Sequence, residues 1–348
     1  MLNEHIYKQP IVIFLGAGAS APLGKMTTLQ FMQSVITQGG SDINLISEIM
    51  SSVEPSEELG KKVDIEAVLD YLEKIIEASV AYEKLKLLDK PDSLGKLDGI
   101  IKLREQIQDL VVTHYSEIDA DKAFKHYAPL YEEGFTIGRL PIFTNNYDLA
   151  IEKFYEHPQA PFRLIDGFKK ERLTIPRWSD EVYENYVPVS SGKGSDIILF
   201  KLHGSVDWVR TPGGHIQRTE AKQRDPGSLK TVLAYPTRTK REIHEEPFRT
   251  NYDYLLACLA HTQICFVVGF SFRDQEIVEH FREAAGLNKN LRVIIFDTNE
   301  KAVEGISGKF KLDRPLELIK IPSEAAEKNI RFVAKHVKEE VSKLIDSH

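Results

Sequence analysis

Five short apolar runs punctuate the chain, and each stops abruptly at small or polar residues. Ile11–Leu15 leads into Gly16–Ser20, Arg139–Thr144 into Asn145–Asp148, Ile197–Leu202 into His203–Ser205, Ile264–Val268 into Gly269–Ser271, and Leu291–Phe296 into Asp297–Asn299. Runs that are short, continuously apolar and rich in β-branched residues are expected as strands buried on both faces. Helices are expected over Thr27–Thr37, Tyr252–His261 and Gln275–Ala285, with Glu324–Ile345 closing the chain. Strands alternating with helices predict an α/β fold with a mainly parallel, Rossmann-like sheet and both faces covered.

Between the first two strands the period changes. From Ile65 to about Ile118, apolar residues recur at helical spacing, as in Val68, Leu69, Leu72, Ile75 and Ile76, and again in Leu103, Ile107, Leu110 and Val111. This predicts a helical subdomain inserted over about 40–135, with Lys90–Gly95 as a connection. The stretch 158–195 is rich in Pro, Gly and charge and is expected to be irregular or small β structure. The whole of 1–348 is otherwise expected to form one domain.

Composition narrows the setting. At 348 residues and 42% hydrophobic content the chain can bury a large core. Its two cysteines, Cys258 and Cys265, cannot build a disulfide framework and fall short of the four ligands of a structural zinc site, so no metal and a reducing cytoplasm are expected. The opening segment has no signal-peptide pattern and no run is long enough to span a bilayer, so no membrane partner is expected. A net charge of −7 disfavours direct nucleic-acid binding, which rests on neutralising phosphates.

In an open parallel sheet, ligands bind outside the carboxyl ends of the strands. The five polar clusters are therefore expected to meet in one site. Gly16-Ala17-Gly18-Ala19-Ser20 has the look of a phosphate-binding turn, in which glycines admit a pyrophosphate and the next helix offers N–H groups. A tight strand-to-helix turn without a ligand is the other reading. The third glycine of G-x-G-x-x-G is missing, which argues against a hydride-transfer enzyme.

Taken in order, GAGAS at Gly16–Ser20, FTNNYD at Phe143–Asp148, KLHGS at Lys201–Ser205, VGFSFRDQEI at Val268–Ile277 and FDTN at Phe296–Asn299 resemble the sirtuin superfamily. The resemblance is to its NAD-hydrolysing branch from bacterial antiphage defence systems. It implies NAD as the substrate, bound by Gly16, Ala17, Gly18 and Ser20 at the first turn. It implies that Asn146 holds the nicotinamide ribose and its attacking water, and that His203 is the base. Gly269 and Ser271 then contact the adenosine half, with Asp297 and Asn299 at a ribose. The residue types suit the chemistry: leaving of nicotinamide develops oxocarbenium character, a neutral amide orients the ribose without competing as a nucleophile, and an imidazole accepts a proton near neutral pH.

Other roles stay open for several of these. Asn145 competes with Asn146, although the register with Tyr147-Asp148 favours the latter; Asp148 and Asp297 fit helix caps as well as ligand contacts; His203 fits a structural histidine at a strand end. Arg273 and Asp274 are expected as a structural pair opening the next helix. Protein-deacylating sirtuins carry a four-cysteine zinc module and a Gly-Ile-Pro-x-Phe-Arg segment. Here no cysteine precedes Cys258, and Ala21–Met26 replaces the latter segment, so water is the simpler acceptor.

The implied function is an NAD glycohydrolase that releases nicotinamide and ADP-ribose as an antiphage effector. The alternatives are an NAD-dependent protein deacylase or ADP-ribosyltransferase, and a non-catalytic nucleotide-sensing module. A homo-oligomer and a partner ATPase or helicase are implied as the means of holding such an activity in check.

Overall fold

The computed structural model describes residues 1–38, 43–53, 63–85, 97–134, 139–160, 162–169, 175–188, 195–219, 230–234, 242–298 and 316–346. The expected connection Lys90–Gly95 and the candidate Asn299 lie outside the described residues. The chain divides into two compact units, one built from Met1–Lys25, Tyr115–Ala234 and Arg241–His348, the other from Met26–His114.

The first unit carries a seven-stranded sheet. Its strands are β1 (Ile11–Leu15), β2 (Arg139–Thr144), β3 (Phe162–Ile165), β6 (Ser195–Lys201), β10 (Ile264–Val268), β11 (Arg292–Asp297) and β12 (Glu317–Lys320). They lie in the order β12-β11-β10-β1-β2-β6-β3, and every neighbouring pair is parallel. β1 is central. The chain fills one side of it through β2, β3 and β6, then the other through β10, β11 and β12, so the direction of winding reverses between β1 and β10.

Alternate side chains of each strand enter separate core layers, as a pleated strand requires. Val12 and Phe14 of β1, Cys265 and Val267 of β10 and Ile198 and Phe200 of β6 join residues of α10 (Phe248–His261) and α11 (Gln275–Leu287). Ile11, Ile13 and Leu15, with Ile264, Phe266, Val268, Ile197 and Leu199, join α7 (Ala120–Gly134), α8 (Ala150–Glu156) and the terminal helix α12 (Asn329–Asp346). Burial on both sides is the physical reason these strands read as unbroken apolar runs. Cys258 and Cys265 are free thiols in the first layer, where burial pushes both well above the usual thiol range, so they stay protonated and act as small apolar groups.

A second sheet, antiparallel, is made of β4 (Phe168–Lys169), β5 (Arg177–Trp178), β7 (Gly204–Arg210), β8 (Ile216–Arg218) and β9 (Lys230–Leu233), in the order β4-β5-β8-β7-β9. The stretch 158–195 holds β3, β4, β5 and the short helix α9 (Glu181–Glu184), while β7, β8 and β9 extend the small β structure further along the chain than the sequence reading places it. A buried ion cluster ties this sheet to the main one. The Arg218 guanidinium lies 2.6 Å from Asp166 and 2.9 Å from Asp207, stands over the Phe168 ring at 4.5 Å, and comes within 3.7 Å of Glu152. Glu152 in turn accepts from Lys201 Nζ at 3.1 Å.

The second unit contains α3 (Thr28–Gln38), α4 (Ile43–Ser52), α5 (Ile65–Leu85) and α6, which runs Leu97–Ser116 to just past the unit's limit. Thr28 Oγ1 donates to Asp64 Oδ2 at 3.1 Å, and Arg104 pairs with Glu73 at 3.2 Å between α6 and α5. Two short helices of the first unit complete the order, α1 (Glu4–Tyr7) and α2 (Ala17–Ser20).

Candidate active site

The carboxyl ends of the parallel strands share one edge, and at its centre the turns after β1 and β10 touch through their backbones. Gly16 N–H donates to Val268 O at 2.9 Å, Gly18 N–H to Gly269 O at 3.0 Å, and Gly269 N–H to Phe296 O at 2.9 Å. A Cβ on Gly16 would lie 2.5 Å from Gly269 O, and Gly269 has φ +61° with a Cβ position 2.5 Å from Gly18 Cα. The glycines are thus required by the contact between two turns, whatever they do for a ligand. Gly16 is the extended N-cap of α2.

Two residues that the sequence reading passes over hold this turn from beneath. His126 Nε2 donates to Ala19 O at 2.8 Å, and Asn329 Nδ2 to Gly18 O at 2.8 Å. Both are buried. Burial lowers the His126 pKa, with the Ala19 carbonyl acting in the opposite sense. Their partners are 107 and 311 residues away, so no local pattern marks them.

Asn146 stands next to the turn at the end of β2. Thr144 Oγ1 donates to Leu15 O at 2.8 Å and accepts from Asn146 N–H at 3.0 Å, which fixes the backbone there. The Asn146 amide donates to Gly16 O at 3.0 Å and to Ser20 Oγ at 3.3 Å, so Asn146 and Ser20 are brought together with the glycine turn. Asp148 Oδ1 accepts from Ala150 N–H at 2.9 Å at the start of α8, and its carbonyl accepts from Lys201 Nζ.

His203 follows β6, beside β2, with Leu202 N–H on Thr144 O at 2.8 Å. It is 1% exposed, and its Nε2 lies 2.6 Å from Asp274 Oδ2. The Tyr147 ring is 6.2 Å away, centroid to centroid. The next residue turns sharply: Gly204 has φ +80°, and a Cβ there would meet Val232 O at 2.1 Å.

Asp274 is the N-cap of α11, its Oδ1 accepting from Glu276 N–H at 3.0 Å and Ile277 N–H at 3.4 Å. Arg273 Nε donates to Ser271 Oγ at 3.0 Å, while Asp274 serves the helix and His203. Between Ser271 and Arg273, Phe272 adopts φ 52°, strained by about 1–3 kcal/mol for a bulky residue, and a fully buried ring packed against Phe270 and Phe281 holds it there. No local pattern marks that the second oxygen of Asp274 reaches a histidine 71 residues back. Asp297 ends β11, next to β10, and its carbonyl accepts from Ile321 N–H at 2.8 Å.

A parallel sheet whose winding reverses at its centre, with polar strand ends gathered at that point, defines a doubly wound α/β protein, a class whose ligands bind at such a reversal. The chain belongs to the SIR2-like domain family, whose model matches residues 141–332, more than half of its length. Among solved structures it is similar to a SIR2 homologue in complex with NAD, at 12% identity and TM-score 0.47 over 99% of this chain and 95% of that one. A mutant Sir2 homologue in complex with ADP-ribose is similar at 13% identity and TM-score 0.46, over 97% and 96%. No curated protein matches the chain. Among the described residues no group of three or more His, Cys, Asp or Glu side chains could hold a metal ion, and no helix is long and apolar enough to cross a membrane.

Proposed function

We propose that the chain hydrolyses NAD, releasing nicotinamide and ADP-ribose, with Asn146 orienting the nicotinamide ribose and His203 taking the proton of the attacking water. The observation that carries this reading is the placement of Asn146 and His203 at the ends of adjacent strands, on the sheet edge where the glycine turn lies. Because the amide NH₂ of Asn146 holds Gly16 and Ser20, its oxygen is the atom that would meet a ribose hydroxyl. Gly16, Ala17, Gly18 and Ser20 would line the pyrophosphate, Gly269 and Ser271 the adenosine half, and Asp297 a ribose. Family membership supports use of NAD.

Such a reaction, unrestrained, drains a cell of NAD, which suits an antiphage effector held in check by self-assembly or by a partner ATPase or helicase. The 1% exposure of His203 fits such restraint, since substrate must displace what covers the imidazole before any turnover. The test is nicotinamide release from NAD by the purified full chain, alone and with candidate partners. Asn146→Ala and His203→Ala should each abolish release while leaving the protein folded. Turnover near wild type in either variant overturns the assignment.

A further inference from the structure

Resting on the reading of His203 as the base, we propose that Asp274 is the residue that positions it, fixing which ring nitrogen carries the proton. An imidazole offers one basic nitrogen at a time. Asp274 Oδ2 lies 2.6 Å from His203 Nε2, and both residues are buried. A carboxylate accepts, so Nε2 holds the proton and Nδ1 is the basic nitrogen. In the hydrolysis, water attacks the anomeric carbon and the bond from that carbon to the nicotinamide nitrogen breaks. The bonding pair leaves with nicotinamide, which departs neutral and needs no acid. One water proton passes to Nδ1, and the imidazolium so formed faces the Asp274 carboxylate before releasing its proton to solvent. NAD and water enter; nicotinamide, ADP-ribose and one proton leave.

An aspartate is required here because two acceptors are required. Oδ1 is committed to the Glu276 and Ile277 N–H groups of α11, and Oδ2 faces His203. The start of a 13-residue helix also favours the ionised carboxylate. Phe272, held at φ 52° by its buried ring, sets the path by which the chain delivers Asp274 to this point. An asparagine has one oxygen. If that oxygen keeps the cap, its NH₂ meets Nε2, which must then accept, and the ring proton moves to Nδ1, where it blocks the base.

The test compares the full chain with Asp274→Asn and Asp274→Ser, both of which preserve a good helix cap. Each should stay folded with KM near wild type and lose about 10²-fold to 10⁴-fold in kcat. Both turning over NAD at the wild-type kcat, while His203→Ala is inactive, overturns the proposal. Histidine ¹⁵N spectra supply a readout that does not depend on activity. The His203 proton should sit on Nε2 in the wild type and on Nδ1 in Asp274→Asn, and the same tautomer in both overturns the proposal. Should the wild type release no nicotinamide under any condition, the hydrolase reading falls and the tautomer alone decides the role of Asp274.

Discussion

The backbones of Gly18 and Gly269 meet where the winding of the sheet reverses, with room for no side chain on either: a Cβ on Gly18 would stand 2.8 Å from Gly269 Cα. This contact joins the first strand's turn to that of a strand formed much later in the chain.

Gly269→Ala must therefore separate two turns while also forcing alanine into φ +61°. Overpacking of this kind costs about 1–3 kcal/mol, and the left-handed backbone about 1–2 kcal/mol more. Denaturant unfolding should report a loss in that range. Stability equal to wild type would mean that the turns part freely.

Arg218 is the only cation shown within reach of Asp166 and Asp207 among the described ion pairs, and it also faces Glu152. Arg218→Met leaves buried carboxylates uncompensated, a change expected to cost about 3–5 kcal/mol. Burial already pushes the Glu152 carboxyl up, with Lys201 and then Arg218 opposing, so removal of Arg218 raises it further. Replacing Asp166 and Asp207 by Asn in the Arg218→Met background should recover part of the loss in an unfolding titration.

The pH dependence of stability should carry a signature from His126. Burial holds its pKa below the ordinary 6.5, so as pH falls below 6.5 the unfolded chain takes up a proton that the folded chain refuses. The stability this residue contributes is present above pH 6.5 and is lost as pH drops toward the depressed folded value. Melting temperatures measured between pH 7 and 5 should fall more steeply for wild type than for His126→Gln, whose amide keeps a donor for Ala19 O. Parallel curves would remove His126 as the cause.

Five strands of the main sheet, β1, β2, β6, β10 and β11, are legible because burial on both faces leaves mainly apolar residues between one polar end and the next, whereas the edge strands β3 and β12 are half-exposed and carry charge, so no such run marks them. β7 is harder. In Gly204-Ser205-Val206-Asp207-Trp208-Val209-Arg210 the alternation survives in Val206, Asp207 and Trp208 alone, and β8 and β9 are too short for any period to emerge. α7 lies within the insertion expected over about 40–135 but beyond the periodic run that ends near Ile118, and its residues Ala123, Tyr127 and Leu130 share a core layer with Ile330 and Val333 of α12, a partnership that periodicity does not encode. At the candidate site, the positions were visible as polar ends of apolar runs, but the pairings were not. Asn146 with Gly16, His203 with Asp274 and Asn329 with Gly18 all join residues far apart in sequence, and only the stacking of strands brings them within reach.

The place of β1 in the sheet has a consequence for synthesis. Its five buried apolar residues leave the ribosome first among the strands, yet they need β2 on one side and β10 on the other, the latter beginning at Ile264. At about 5–20 residues per second, the second neighbour arrives on the order of tens of seconds later. Through that interval a nascent chain holds its future central strand with at least one edge unsatisfied, so chaperone occupancy should persist until α11 has cleared the exit tunnel and β10 can seat.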